Sequence, residues 1–145
     1  MKYYSLNNKQ HEVSFQEAVI QGLAPDQGLY FPEHLTPISA SFFDKIETLS
    51  NEEIAFQVIH EFVGDEIPEI NLRQIITETL CFDFPLVKVE NNIYSLELFH
   101  GPTMAFKDVG ARFMSRCLAY FNSDKKGAKN TVIVATSGDT GGAVA

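Results

Sequence analysis

Cysteine is scarce in this chain. Cys81 and Cys117 are the only two in 145 residues. Their spacing fits neither a metal-binding pattern nor a disulfide framework, so no metal site is expected. Basic residues are also few, 11 Lys and Arg against 19 Asp and Glu, which gives a formal charge of -8. A net-acidic chain with no basic run is a poor ligand for nucleic acid and for anionic membrane surfaces. No apolar stretch approaches the roughly 20 residues of a membrane span. The start, Met1-Lys2-Tyr3-Tyr4-Ser5-Leu6-Asn7, has no apolar core of a signal peptide, so a cytoplasmic location is expected. Internal repeats, low-complexity tracts and Ser/Gly linkers are missing too. The remaining composition, 45% hydrophobic and 21% charged, is that of a folded globular chain.

The first half reads as mostly helical. Ser14-Phe15-Gln16-Glu17 is a capping box that opens a short helix, with Phe15, Ala18, Val19, Gly22 and Leu23 on one face. Pro25-Asp26-Gln27-Gly28 is a turn, and Leu29-Tyr30-Phe31-Pro32 follows as an extended piece. Ser50-Asn51-Glu52-Glu53 is a second capping box. The helix it opens carries Ile54, Ala55, Val58, Ile59, Phe62 and Val63 and ends at Gly64. Pro68 precedes a third helix with Leu72, Ile75, Ile76 and Leu80.

Beyond residue 85 the pattern changes. Leu86-Val87-Lys88-Val89 and Ile93 to Leu98 read as strands around the turn Glu90-Asn91-Asn92. Val109, Phe113, Met114, Cys117, Tyr120 and Phe121 recur at helical spacing. Thr131-Val132-Ile133-Val134-Ala135 is β-branched and nearly all apolar, which predicts a strand covered on both faces. Strand, Gly-rich turn and helix onset in that order predict an α/β architecture with a parallel sheet. The chain stops on the apolar run Gly141-Gly142-Ala143-Val144-Ala145, and the expectation is that it is a piece of a longer protein.

Two loops carry more chemistry than turns require. Phe99 to Asp108 lies between a strand and a helix, with Lys107 at the helix start. A helix N-terminus disfavours a cation, and its field together with burial beside Phe106, Phe99 and Met104 would favour the neutral amine that an imine-forming lysine needs. The plain alternative is an exposed lysine paired with Asp108. The second loop, Thr136-Ser137-Gly138-Asp139-Thr140-Gly141-Gly142, follows the expected buried strand. Its glycines and the next helix start suit an anion such as a carboxylate or phosphate. A simple β–α turn capped by Ser137, Asp139 or Thr140 is the alternative. No Lys-Ser/Thr follows the glycines, so the loop is not of the nucleotide P-loop type. Asp139-Thr140-Gly141 also echoes the aspartic-protease triplet. However, Ser137-Gly138 stand where that family has apolar residues, and no second triplet is present. An echo of trypsin-like proteases fails as well, because Thr140 stands in the nucleophile's place and the all-β pattern is missing.

The segment Glu97 to Met114 resembles the pyridoxal-phosphate lysine segment of the threonine synthase family. Val134 to Ala145 resembles the same family's substrate-carboxylate loop, and Ser14 to Pro32 resembles its N-terminal stretch. The three motifs stand in the family's order and span nearly the whole chain. The resemblance implies an N-terminal domain over residues 1–84 and the first part of a fold-type II (tryptophan synthase β-like) pyridoxal-phosphate domain over 85–145. It implies a lyase that makes L-threonine and phosphate from O-phospho-L-homoserine and water, with pyridoxal 5'-phosphate as cofactor. Lys107 would hold the cofactor and move protons, with Phe106 beside it. Thr136, Ser137, Gly138, Asp139 and Thr140 would hold the substrate carboxylate, and Asp139 would also face the cofactor's ring hydroxyl. Many fold-type II enzymes have asparagine at that place, so the carboxylate must share a proton with the hydroxyl or repel it. The phosphate cradle and the partner of the pyridine nitrogen would lie beyond residue 145. The chain alone would then be inactive and would self-associate through unpartnered apolar strands. Other readings are another fold-type II amino-acid lyase, or a non-catalytic module binding small anions or partner proteins.

Overall fold

The computed structural model describes residues 1–123 and 131–145. The chain forms two compact units, Met1–Ile76 and Thr77–Ala145.

The first unit mixes helices with a small sheet. Strands β1 (Tyr3–Ser5), β2 (Glu12–Val13) and β3 (Tyr30–Pro32) pair antiparallel in the order β2-β1-β3. Tyr3 faces Val13 on one side and Pro32 on the other. The sequence pattern showed only β3. β1 and β2 are too short for a visible period of two, and their pairing is non-local.

Helix α1 (Phe15–Gln21) starts with the expected capping box. Ser14 accepts from the Glu17 N–H at 3.1 Å, and Glu17 accepts from the Ser14 N–H at 2.9 Å. Glu66 also takes the N–H groups of Phe15 and Gln16, at 2.9 and 2.8 Å. These bonds satisfy donors that a helix start leaves open. Phe15 is buried, but Leu23 is exposed, because α1 already ends at Gly22 with φ 72°.

A short helix α2 (Ala40–Phe43) with a Ser39 cap leads through a 3-10 turn to α3 (Asn51–Val63). Only half of the second capping box forms. Ser50 accepts from the Glu53 N–H, but the Glu53 carboxylate turns to Gln57 and Arg73, both at 2.9 Å. Arg73 lies on α4 (Glu69–Thr79), binds Glu69 at 2.7 Å as well, and stacks 3.8 Å above the Phe56 ring. A cross-helix cation thus outcompetes the local backbone donor. Val63, Ile67, Leu72, Ile75 and Ile76 form the core with Tyr3, Val13 and Phe15.

In the second unit β4 (Leu86–Glu90) and β5 (Ile93–Leu96) form the expected hairpin, with Asn92 at φ 61° in its turn. Helix α5 (Lys107–Asn122) carries the buried Ala111 and Cys117, and burial pushes the Cys117 thiol up to about 12. The short α6 (Asp139–Val144) packs on α5.

One expectation is corrected here. Thr131–Ala135 is neither a strand nor buried. It runs without strand pairing, and Ile133 is 90% exposed. β-branched composition supplies propensity, but a strand needs a ladder partner, and none is present among the described residues. All three strand pairings among the described residues are antiparallel. Among the described residues no helix is long and apolar enough to cross a membrane.

Several carboxylates of the first unit are held ionised. The Ser5 hydroxyl and then the Gly28 N–H keep Asp26 below its ordinary 3.8. The Ser14 N–H lowers Glu17, and Gln57 followed by Arg73 lowers Glu53, both from 4.5. Depressed values in the fold mean that stability is complete above the ordinary values and is lost as pH falls through the folded ones. The urea midpoint of this chain should therefore decline as pH drops from about 5 toward about 2. Asp26→Asn, which keeps an acceptor oxygen but cannot ionise, should flatten that decline. An identical slope in the variant would contradict the role given to Asp26.

Candidate active site

The lysine segment folds as a compact turn onto a helix. Gly101 accepts from the Met104 N–H at 3.0 Å, and Ala105 accepts from the Asp108 N–H at 3.1 Å. α5 then begins at Lys107 with no side-chain cap. The Lys107 ammonium lies 4.1 Å above the centre of the Phe106 ring, a cation–π contact.

Asp108 does not pair with Lys107, contrary to the plain alternative. It is turned inward and is 2% exposed. One carboxylate oxygen accepts from the Thr103 N–H at 3.0 Å and the other from the Thr103 hydroxyl at 2.6 Å. Just upstream, Phe99 stacks on His100, whose Nε2 lies 2.7 Å from the Glu97 carboxylate.

The glycine-rich loop has its own internal tie. The Gly138 N–H donates to the Thr136 hydroxyl at 3.1 Å, and Gly138 takes φ 140°, a conformation other residues avoid. No side chain caps α6. Gly141 also cannot be enlarged freely, since a Cβ there would meet the Thr136 methyl at 2.7 Å.

The two segments meet at one open hollow of about 500 Å³. Phe99, Thr103, Met104 and Phe106 line it from the lysine turn, and Asp139 lines it from the glycine-rich loop. Of the residues expected at a site, Phe106 and Asp139 line this hollow, and Lys107, which does not line it, rests on the Phe106 ring. Thr136, Ser137, Gly138 and Thr140 do not line it; they form the loop that presents Asp139. Sequence reasoning missed Thr103 and the inward turn of Asp108. The available signal was the hydroxyl of Gly101-Pro102-Thr103, five residues ahead of an acid in the first turn of a helix. Among the described residues no cluster of three or more His, Cys, Asp or Glu could hold a metal ion.

Comparison with known proteins identifies the setting. The family model for the threonine synthase N terminus matches residues 2–80, more than half of the chain. The chain belongs to the threonine synthase family. The chain is 43% identical over its full length to the threonine synthase of Escherichia coli (strain K12), and it covers 33% of that protein. The crystal structure of threonine synthase from Escherichia coli superposes with a TM-score of 0.92 at 42% identity, over 99% of this chain and 33% of that one. The pyridoxal-phosphate-bound threonine synthase of Brucella melitensis gives a TM-score of 0.88 at 38% identity, over 99% of this chain and 32% of that one. The fold is therefore mixed α/β, that of the N-terminal part of a fold-type II threonine synthase. The chain spans about a third of the length of the curated relatives it matches.

Proposed function

We propose that this chain is the N-terminal third of a threonine synthase that converts O-phospho-L-homoserine and water into L-threonine and phosphate. The observation that carries the reading is the shared hollow. A primary amine lies against Phe106, and Phe106 and Asp139 line one cavity. That donor set fits pyridoxal phosphate: an amine for its aldehyde, an aromatic ring for its flat face, and polar groups for its edge. Bound there, the cofactor supplies an electron sink that lets the γ-phosphate leave.

The chain's own residues would divide the work. The Lys107 amine holds the cofactor and, once released, moves protons at Cα and Cβ of the substrate. Phe106 flanks the cofactor ring. Thr136, Ser137, Gly138 and Thr140 hold the substrate carboxylate. Asp139 would do so too, beside the ring hydroxyl of the cofactor. In this reading residues 1–84 are the N-terminal domain and residues 85–145 the first part of the cofactor domain. The cradle for the cofactor phosphate and the group facing the pyridine nitrogen lie in the remaining two thirds of the enzyme. The protein acts in the cytoplasm.

The test is phosphate release from O-phospho-L-homoserine by the intact protein. We expect turnover that Lys107→Ala abolishes, together with the visible absorbance of the bound cofactor, while the melting temperature holds. No phosphate release but deamination of serine or threonine would assign the protein to another class of fold-type II lyase. Normal turnover in the variant would remove Lys107 from the mechanism.

The 145-residue chain by itself should neither turn over phosphohomoserine nor bind the cofactor tightly. Its hairpin shows apolar side chains on both faces, Leu86 at 65% exposure on one and Val87 at 40% on the other, and Ile133 is open as well. Such surface promotes association between copies. Light scattering should show assemblies larger than a monomer, and a strictly monomeric chain would contradict this.

A further inference from the structure

Asp108 is a buried carboxylate that no ion pair accompanies among the described residues, and it stands next to the lysine on which the proposed chemistry turns. Burial of a charge is costly unless hydrogen bonds compensate it. Here both compensating bonds come from a single residue, Thr103, through its N–H at 3.0 Å and its hydroxyl at 2.6 Å. The site of closest approach is Gly101. A Cβ at that position would collide with the Asp108 carboxylate and come within 2.8 Å of the Asp108 Cβ. Directly after Thr103, Met104 adopts φ 55°, a left-handed conformation that a residue with a side chain adopts only when its surroundings impose it. The Met104 side chain is 78% exposed, so its own packing does not impose it. The neighbour that is gripped is Thr103.

We propose that Asp108 is a positioning residue for Lys107: through Thr103 it clamps the Gly101–Phe106 turn in the shape that sets Phe106 against the hollow and the lysine on the Phe106 ring. The proposal rests on the reading of Lys107 as the amine that holds the cofactor. The clamp acts on both ends of the turn. Asp108 is fixed in the first turn of α5, one residue after Lys107, and Thr103 lines the hollow. Releasing Thr103 frees Met104 to leave its strained conformation. The Phe106 ring then shifts, and the amine resting on it loses its fixed place. A carboxylate that served only the field of the helix N-terminus would need neither Thr103 nor the space at Gly101.

The clamp can be tested in the intact protein loaded with pyridoxal phosphate. The variants are Thr103→Val, Thr103→Ser, Asp108→Asn and Gly101→Ala, with Lys107→Ala as control. The readouts are the rate of cofactor loss on dialysis, the circular dichroism of the visible cofactor band, and amide exchange at Thr103 and Met104 in the cofactor-free protein. Loss of a hydrogen bond to a charged group weakens retention by roughly tenfold or more. We expect that loss in Thr103→Val, Asp108→Asn and Gly101→Ala, with a diminished dichroic band and faster exchange. Thr103→Ser, which keeps the hydroxyl, should restore all three. Retention and dichroism at the unmodified level in Thr103→Val and Gly101→Ala would overturn the proposal. So would a Thr103→Ser protein as impaired as Thr103→Val. Should Asp108→Asn fail to fold, the two Thr103 variants decide. A visible band that survives in Lys107→Ala would instead sink the lysine reading, and the clamp with it. A band lost in Lys107→Ala but normal in Thr103→Val would sink the clamp alone.

Discussion

Gly101 and Asp108 approach so closely that no side chain fits between them, and the site takes its form from that contact. The buried carboxylate must find donors, and Thr103 gives two. Closing that bond folds residues 101–106 into a tight turn and forces Met104 into the left-handed region. α5 can then begin at Lys107, with its ammonium over Phe106. A lysine at a helix start is unfavourable by itself. The next residue, Asp108, puts an acid in the same first turn, where a negative charge complements the helix start.

The same use of acidic groups recurs through the first unit. The surplus of carboxylates is not simply a solvated coat. Glu17 takes the Ser14 N–H, Glu66 takes those of Phe15 and Gln16, and Asp26 takes that of Gly28. Each meets a backbone donor left open at a helix start or a turn. Ser5 extends the pattern inward: it is fully buried, and its hydroxyl donates to Asp26 at 2.7 Å. Short strands and loops with little regular structure are thereby tied to the helices. Glu66 makes the longest such tie, reaching across fifty residues of sequence to the start of α1.

Local chemistry in the sequence anticipated much of this, and non-local pairing did not. Ser14 with Glu17, Gly64 at the end of α3, Pro68 before α4 and Asn92 in the hairpin are decided within a few residues, so their roles could be read directly. The second capping box was read correctly at Ser50 and wrongly at Glu53, because Arg73 on another helix competes for the carboxylate. β1 and β2 escaped notice for the same kind of reason, since Tyr3 is a strand residue only by virtue of Val13 and Pro32. Thr131–Ala135 failed in the opposite direction: strong strand composition with no partner to pair with among the described residues. At the site, Lys107 and Asp139 stood out because their loops hold more functional groups than a turn needs. Thr103 did not, because its role depends on the buried orientation of Asp108.

In the proposed function Lys107 is the residue that binds the cofactor. Borohydride reduction of the intact, cofactor-loaded protein, followed by peptide mass spectrometry, tests it most directly, because reduction makes the lysine–cofactor bond permanent. A phosphopyridoxyl group is expected on the peptide containing Phe106-Lys107-Asp108 and on no other lysine. The group on a different lysine, or no labelled lysine at all, would contradict it.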